Sequence, residues 1–211
     1  MQDFSSLDAL LRARAEHVST PTDERILDGA LEAIAAYGPQ RSTVDDIAEA
    51  AGVGRVTVFR RFGSKEKVLE RLRLREVSAF LAEAAERMDA IADRGERVVE
   101  AFVLCVRTAQ RHPWISRLIR TAPNRLVETL REGDPSPLQL GRMFVAERLR
   151  QDHPDAVATP GTDERLAELL IRLAFAYAVL PSDVVDFGDR AQLRAFAAEM
   201  ILPILTSRED H

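Results

Sequence analysis

Apolar side chains recur along this chain at three- and four-residue steps almost throughout, and runs that alternate apolar with polar residues between turn signals are hard to find. That pattern predicts an all-α protein of about nine to ten helices. After Pro21, Ile26, Ala30 and Ile34 follow one another at four-residue steps beside Leu27, Leu31 and Ala35, and Gly38-Pro39 closes the stripe, so a first helix is expected there. Thr43 is placed to cap a second, with Asp45 and Asp46 in its first turn, where carboxylates suit the free amides, and Val44, Ile47, Ala48 and Ala51 facing inward as far as Gly52. A short third helix is expected over about Arg55 to Phe62. Ser64 then caps a long fourth that carries Val68, Leu72, Phe80, Ala84 and Met88 toward a break at Asp93-Arg94-Gly95.

Further on, the pattern gives an apolar helix to about Gln110, a corner at His112-Pro113-Trp114, a segment through Ile119, and helices over about Asn124 to Arg131 and Leu138 to Gln151. The last two helices are expected from about Thr162 to Leu180 and from about Asp189 to Leu205. In the first of these, Leu166, Leu169, Leu170, Leu173 and Tyr177 form one stripe while Ile171, Phe175 and Val179 are apolar on another side, so it must be covered from more than one direction. Leu193, Phe196, Ala197, Met200, Ile201 and Ile204 form a seam on the second. The chain thus divides into an N-terminal extension over 1–20, three small helices over 21–66, a larger helical region over 67–207 and a tail over 208–211. Within the extension, Phe4, Leu7, Leu10, Leu11 and Val18 fit either a short amphipathic helix, from which Arg12 and Arg14 would reach DNA if the chain binds it, or a disordered segment.

Charge sharpens this picture. The 211 residues carry −5, yet AGVGRVTVFRRFGSKEK, from Ala51 to Lys67, carries +4 by itself. Basicity so concentrated points to a site for an anion rather than to general affinity for polyanions. Cys105 is the only cysteine and lies in the apolar run VVEAFVLCV, which suits a reducing cytoplasm. No stretch approaches the ~18 to 20 apolar residues of a membrane span, so no membrane partner is expected. His17, His112, His153 and His211 have no metal-ligand spacing, Cys105 has no evident activating partner, and G-x-S-x-G, H-E-x-x-H and C-x-x-C are absent. Asp186-Phe187-Gly188 copies a kinase tripeptide without its companion motifs and reads as a turn. No metal, cofactor or enzymatic activity is expected.

Three readings compete for the basic segment. A nucleotide phosphate loop needs a third glycine where Thr57 stands, and a preceding strand where a capped helix stands. A solvated basic turn is the second. The third is a helix-turn-helix: Ala48 is small where helices approach, Gly52 accepts the positive φ of a tight turn, and Val53 and Val58 pack back on the first element. That geometry leaves Arg55, Thr57, Phe59, Arg60 and Arg61 outward, with Lys65 and Lys67 opening the next helix. Such a donor-rich face suits the phosphates and base edges of a DNA groove.

Thr22 to Glu70 resembles the DNA-binding domain of TetR-family transcriptional regulators, most specifically in T-V-D-D-I-A-x-x-A-G-V followed by V-F-x-x-F-G-S-K-E. The resemblance implies an all-helical, dimeric, mostly repressive protein with a variable C-terminal domain that binds an inducer. It implies that Thr43 contacts phosphate, that Arg55 and Thr57 lie over the groove, that Arg60 and Arg61 belong to the same helix, and that Lys65 binds phosphate. Phe59 departs from the family, which often has tyrosine there, leaving packing or a sugar contact. Two recognition helices reading successive major grooves sit roughly 34 to 36 Å apart, which requires a two-fold dimer. By the resemblance its seam lies on the last two helices, at Leu166, Leu170, Leu173, Tyr177, Phe196, Met200 and Ile204. Phe102, Cys105, Val106, Trp114, Ile115, Leu118, Met143, Phe144 and Phe175 are candidates for an effector pocket, with ordinary core as the competing reading. Few interior charges favour an apolar effector, and resemblance to actinobacterial members linked to lipid or alkane metabolism suggests a fatty acid or similar lipid. A lipid-binding carrier or a small all-α enzyme with an incidental basic turn is the rival function.

Overall fold

A computed structural model describes residues 19–152, 161–180 and 182–206, and every regular element among them is helical. In order these are α1 (Pro21–Tyr37), α2 (Val44–Ala50), α3 (Arg55–Phe62), α4 (Lys65–Asp89), α5 (Arg94–Arg111), α6 (Pro113–Thr121), α7 (Pro123–Arg131), α8 (Pro137–Asp152), α9 (Thr162–Val179) and α10 (Arg190–Phe196). A π-helical turn, Ala197–Ile201, joins α10 to a final α11 (Leu202–Thr206). Four helices start on proline, where the missing N–H is not needed and φ is already helical. The same residue explains the interruption before α11, where one continuous helix was expected. Pro203 has no N–H for the carbonyl of Glu199, and the wider π register absorbs the lost bond. Residues 1–18 of the N-terminal extension, with Phe4, Leu7, Leu10, Leu11, Arg12, Arg14 and Val18, and the tail lie outside the described residues.

Contacts divide the chain into two compact units. The first comprises the described residues up to Phe80 together with Pro113–Thr129, and the second comprises Leu81–His112 and the described residues from Leu130 onward. Helix α4 contributes to both. This differs from a boundary after residue 66, because α6 returns to the first unit: it packs on α1, and Arg117 Nη1 donates to the Ala35 carbonyl at 3.0 Å. The apolar period of α6 identifies the face that is buried, here Trp114 and Leu118, but not the helix that buries it.

The first unit closes over Ile26, Ile34, Ile47, Val58, Val68 and Leu72, all essentially inaccessible. In the second, α5, α9 and α10 bury Val99, Phe102, Val103, Val106, Ala174 and Leu193. Tyr177, Phe187 and Phe196 meet edge to face beside them, with centroids 4.8 to 5.4 Å apart. A smaller cluster of Ala146, Leu149, Leu166 and Ala167 joins α8 to α9. Glu100, buried in the second unit, accepts from Arg190 and Arg194 at 2.9 Å, so its charge is paired where burial demands it.

Among the glycines of the described residues, Gly29 has the tightest surroundings. A Cβ there would lie 2.6 Å from the Ala51 amide nitrogen and 2.8 Å from the Ile47 carbonyl oxygen, both backbone atoms that move only with α2. Gly29→Ala is expected to lower stability by about 1–3 kcal/mol, the usual range for overpacking. Urea denaturation checks this against Gly54→Ala, where the nearest atom is Thr57 Oγ1 at 4.0 Å; there a loss below about 1 kcal/mol is expected.

Candidate nucleic-acid interface

The interface begins with the residues that hold the turn. Thr43 Oγ1 accepts from the Asp46 amide at 3.1 Å, and the Thr43 amide and hydroxyl donate to the Asp46 carboxylate at 2.7 and 2.8 Å, a reciprocal cap that starts α2. These bonds, from the Thr43 amide first and then its hydroxyl, hold the Asp46 carboxyl below its ordinary 3.8. At the other end of α2, Arg25 donates to the carbonyls of Ala51 and Gly52 at 3.0 and 2.8 Å, placing a cation on the negative end of the helix. Gly52 takes φ +61°, the left-handed turn that sends the chain into α3.

On α3, Val58 is buried and Thr57 and Phe62 are half-buried, which leaves Arg55, Val56, Phe59, Arg60 and Arg61 exposed. Arg55 is held from two sides. Its Nη1 donates to Asp45 at 2.5 Å, and its guanidinium carbon lies 5.3 Å from the Phe59 ring centroid. Phe59, 40% exposed, is therefore a cation–π platform for Arg55 rather than a core residue. Arg61 reaches toward α1, 3.5 Å from Asp23. Arg60 makes no ion pair among the described residues. Lys65 is placed differently from a free phosphate ligand: its Nζ donates to the carbonyls of Pro39, Gln40 and Ser42 at 3.0, 3.4 and 2.9 Å. An ammonium has three N–H donors, and all three are engaged with the loop that leads into Thr43.

Sequence reasoning missed Val56, which is 77% exposed on the first turn of α3. The signal was its helical spacing, three and four residues before Phe59 and Arg60. It also missed Asp45 as the partner of Arg55, because the two lie on different helices.

The second unit contains a cavity of about 330 Å³ lined by side chains from α4, α5, α8, α9 and the π turn. Phe102, Cys105 and Phe144 are among them. The other candidates lie elsewhere: Val106 is in the core, Met143 and Phe175 are half-buried away from the lining, and Trp114, Ile115 and Leu118 belong to α6 of the first unit. Met88, Val98, Leu170, Ala174 and Ile201 line the cavity in their place, with Asp89, Arg97 and Arg148. Burial pushes the Cys105 thiol up to about 11, so it is not a nucleophile at neutral pH. Of the candidate seam, Leu166 is buried, and Leu170, Leu173, Tyr177, Phe196 and Ile204 pack on the protomer's own clusters. Met200 is 57% exposed, as is Leu169 at 43%. Among the described residues no acidic, histidine or cysteine group is arranged to hold a metal, and no helix is long and apolar enough to cross a membrane.

Residues 26–72, which contain the whole turn, match the family model of bacterial regulatory proteins of the tetR family. The HTH-type transcriptional repressor AcnR of Corynebacterium diphtheriae is 30% identical over 161 residues, spanning 72% of this chain and 80% of the repressor. The chain belongs to the TetR family. The TetR fold extends beyond the matched segment. The family repressor AlkX of Dietzia sp. superposes with a TM-score of 0.61 at 20% identity, covering 89% of this chain and 96% of AlkX. AibR, solved with isovaleryl coenzyme A and operator DNA, superposes at 0.57 and 15% identity, covering 86% and 98%. In this TetR-family regulator the helix-turn-helix is thus set by a glycine contact, a reciprocal threonine–aspartate cap and two cations spent on backbone carbonyls.

The cap has a measurable signature. A carboxyl lowered in the folded state adds stability above its ordinary 3.8 and loses it as pH falls through the folded value. Thr43→Val removes the hydroxyl, so the Asp46 carboxyl is expected to titrate closer to its ordinary value, read by side-chain NMR.

Proposed function

We propose that this TetR-family regulator is a ligand-responsive repressor that binds a palindromic operator as a homodimer and is released by a small, mainly apolar effector. The observation that carries the reading is the outer face of α3, where Arg55, Val56, Phe59 and Arg60 stand together in solvent on a helix fixed from behind. Arg55, steadied by Asp45 and Phe59, is the donor for a base edge, and Val56 offers a methyl surface to thymine. Thr57 and Arg60 contact the backbone beside them. Thr43, whose amide and hydroxyl hold the Asp46 carboxylate, fixes the start of α2 beside the phosphate backbone. Lys65 and Arg61 serve by holding the loop and α1 in register, adding charge without a direct bond to the base pairs.

A single α3 reads one half-site, so the repressor acts as a two-fold pair. Its seam uses the last two helices, with Met200 and Leu169 as exposed apolar contacts and Leu173, Tyr177 and Phe196 stiffening the face from within. The cavity of the second unit holds the effector, and the complex of AibR with isovaleryl coenzyme A and operator DNA supports such a pairing of ligand and DNA in this fold. Release requires that the effector bind the DNA-incompetent conformation more tightly, since equal affinity for both states shifts nothing.

Selection of bound duplexes from a random pool, followed by anisotropy titrations, tests the reading. Arg55→Ala and Val56→Ala are expected to relax the preferred sequence, with Arg55→Ala costing about 1–3 kcal/mol on the cognate site. Arg60→Ala is expected to weaken all duplexes alike and to reduce the salt slope by about one. Met200→Glu is expected to raise the monomer fraction in sedimentation and to weaken operator binding with it. A wild-type chain with no salt-sensitive preference among duplexes overturns the proposal.

A further inference from the structure

The outer face of α3 is basic, yet one of its arginines carries its own counter-ion. The first turn of α2 presents two carboxylates, and they are used differently. Asp46 is engaged by the Thr43 amide and hydroxyl, whereas Asp45 reaches off its own helix and accepts from Arg55 Nη1 at 2.5 Å. Both members of that pair stand in solvent, Arg55 with 57% and Asp45 with 62% of its side chain exposed. The guanidinium also lies over the Phe59 ring, so ring and carboxylate together fix its direction. An ion pair this exposed adds little to stability. Its consequence for binding is greater, because it sets an acidic side chain beside Arg55 on the face that carries Arg60.

We propose that Asp45 is a specificity-determining residue of the DNA face: it favours the engagement of Arg55 on a base edge over its engagement on a phosphate. The inference rests on the reading that the outer face of α3 meets DNA. Separating the exposed pair costs little in itself, and the discrimination comes from the carboxylate that is left behind. A phosphate that takes the guanidinium brings a second anion to Asp45, and like charges so close repel. Guanine O6 and N7 bring acceptors without a net charge, and the freed carboxylate then suits a cytosine amino group, a donor in the same groove. Taken as a pair, Arg55 and Asp45 have no net charge, so together they add nothing to the salt-dependent attraction that every duplex exerts. Arg60 and Lys67, exposed and without an ion pair among the described residues, keep that task. Arg55 is thereby reserved for sequence.

Anisotropy titrations of the full chain at several salt concentrations test this, using the duplex that the wild type selects and a scrambled duplex of the same composition. Asp45→Asn removes the charge and keeps the shape. It is expected to tighten the scrambled duplex by about three- to fivefold, the upper part of what an exposed pair provides, with a smaller gain on the selected duplex. The ratio of the two affinities therefore falls. The salt slope on the scrambled duplex is expected to steepen by about one, the mark of one further phosphate contact. Asp45→Glu, which keeps the charge, is expected to retain the wild-type ratio. In an Arg55→Ala background, Asp45→Asn is expected to leave the salt slope unchanged, because no guanidinium is freed. Equal weakening of both duplexes by Asp45→Asn, as a purely structural role would give, overturns the inference. So does an unchanged ratio, an Asp45→Glu that behaves like Asp45→Asn, or a steeper slope that persists without Arg55. A wild type that prefers no duplex overturns the operator reading and this inference with it. A selective wild type whose ratio Asp45→Asn leaves untouched removes only the role of Asp45.

Discussion

The first unit depends on the near-contact of two backbones at Gly29. With no side chain at that position, α1 lies against the C-terminal end of α2, close to the Ile47 carbonyl and the Ala51 amide. Everything that orients α3 follows from it. The end of α2 is fixed on α1, Arg25 bonds the two carbonyls that emerge there, and Gly52 then has only the left-handed turn by which to leave. Val58 closes the arrangement from the α3 side, fully buried, so the helix cannot rotate without exposing it. The outer face of α3 is accordingly positioned by what lies behind it.

A second constraint is how the positive charge is allotted. The segment from Ala51 to Lys67 is basic as a whole, but its cations are not equivalent. Lys65 is consumed by three carbonyls of the α1–α2 loop, and Arg61 sits near the Asp23 carboxylate that caps α1. Arg55 shares its charge with Asp45 in a pair exposed to water, and such pairs hold geometry more than they add stability. In the proposed operator complex, an incoming base or phosphate takes Arg55 from Asp45 at little cost. Arg60 and Lys67 remain exposed, with no ion pair among the described residues. The division separates cations engaged with the protein's own groups from cations left in solvent, which composition alone does not do.

How far the sequence reveals this varies by residue. The stripe from Ile26 to Ile34, the cap at Thr43, the positive φ at Gly52 and the span of α3 were all legible, because each is a local rule about spacing or backbone freedom. Gly29 was not legible, since a glycine within an apolar stripe reads only as a weak helix position until its neighbour is known. Lys65 illustrates a different limit: a long side chain reaches inward as easily as outward, and its carbonyl partners lie more than twenty residues away. Trp114 and Leu118 were correctly apolar and helical but belong to the first unit, since periodicity gives a face and not a partner. Tyr177 and Phe196 show the same limit, as their rings pack with Phe102 and Phe187 inside the protomer.

The second unit is held together by a cluster of arginines on one buried carboxylate. Around Glu100, Arg190 and Arg194 converge on one buried carboxylate, with Arg87 at 3.6 Å and Glu96 bonded to Arg194 as well. There the charges answer one another, and the cluster ties α4, α5 and α10 together. The Glu96 hydrogen bond, aided by the nearby carboxylates, holds the Arg194 guanidinium above its ordinary value.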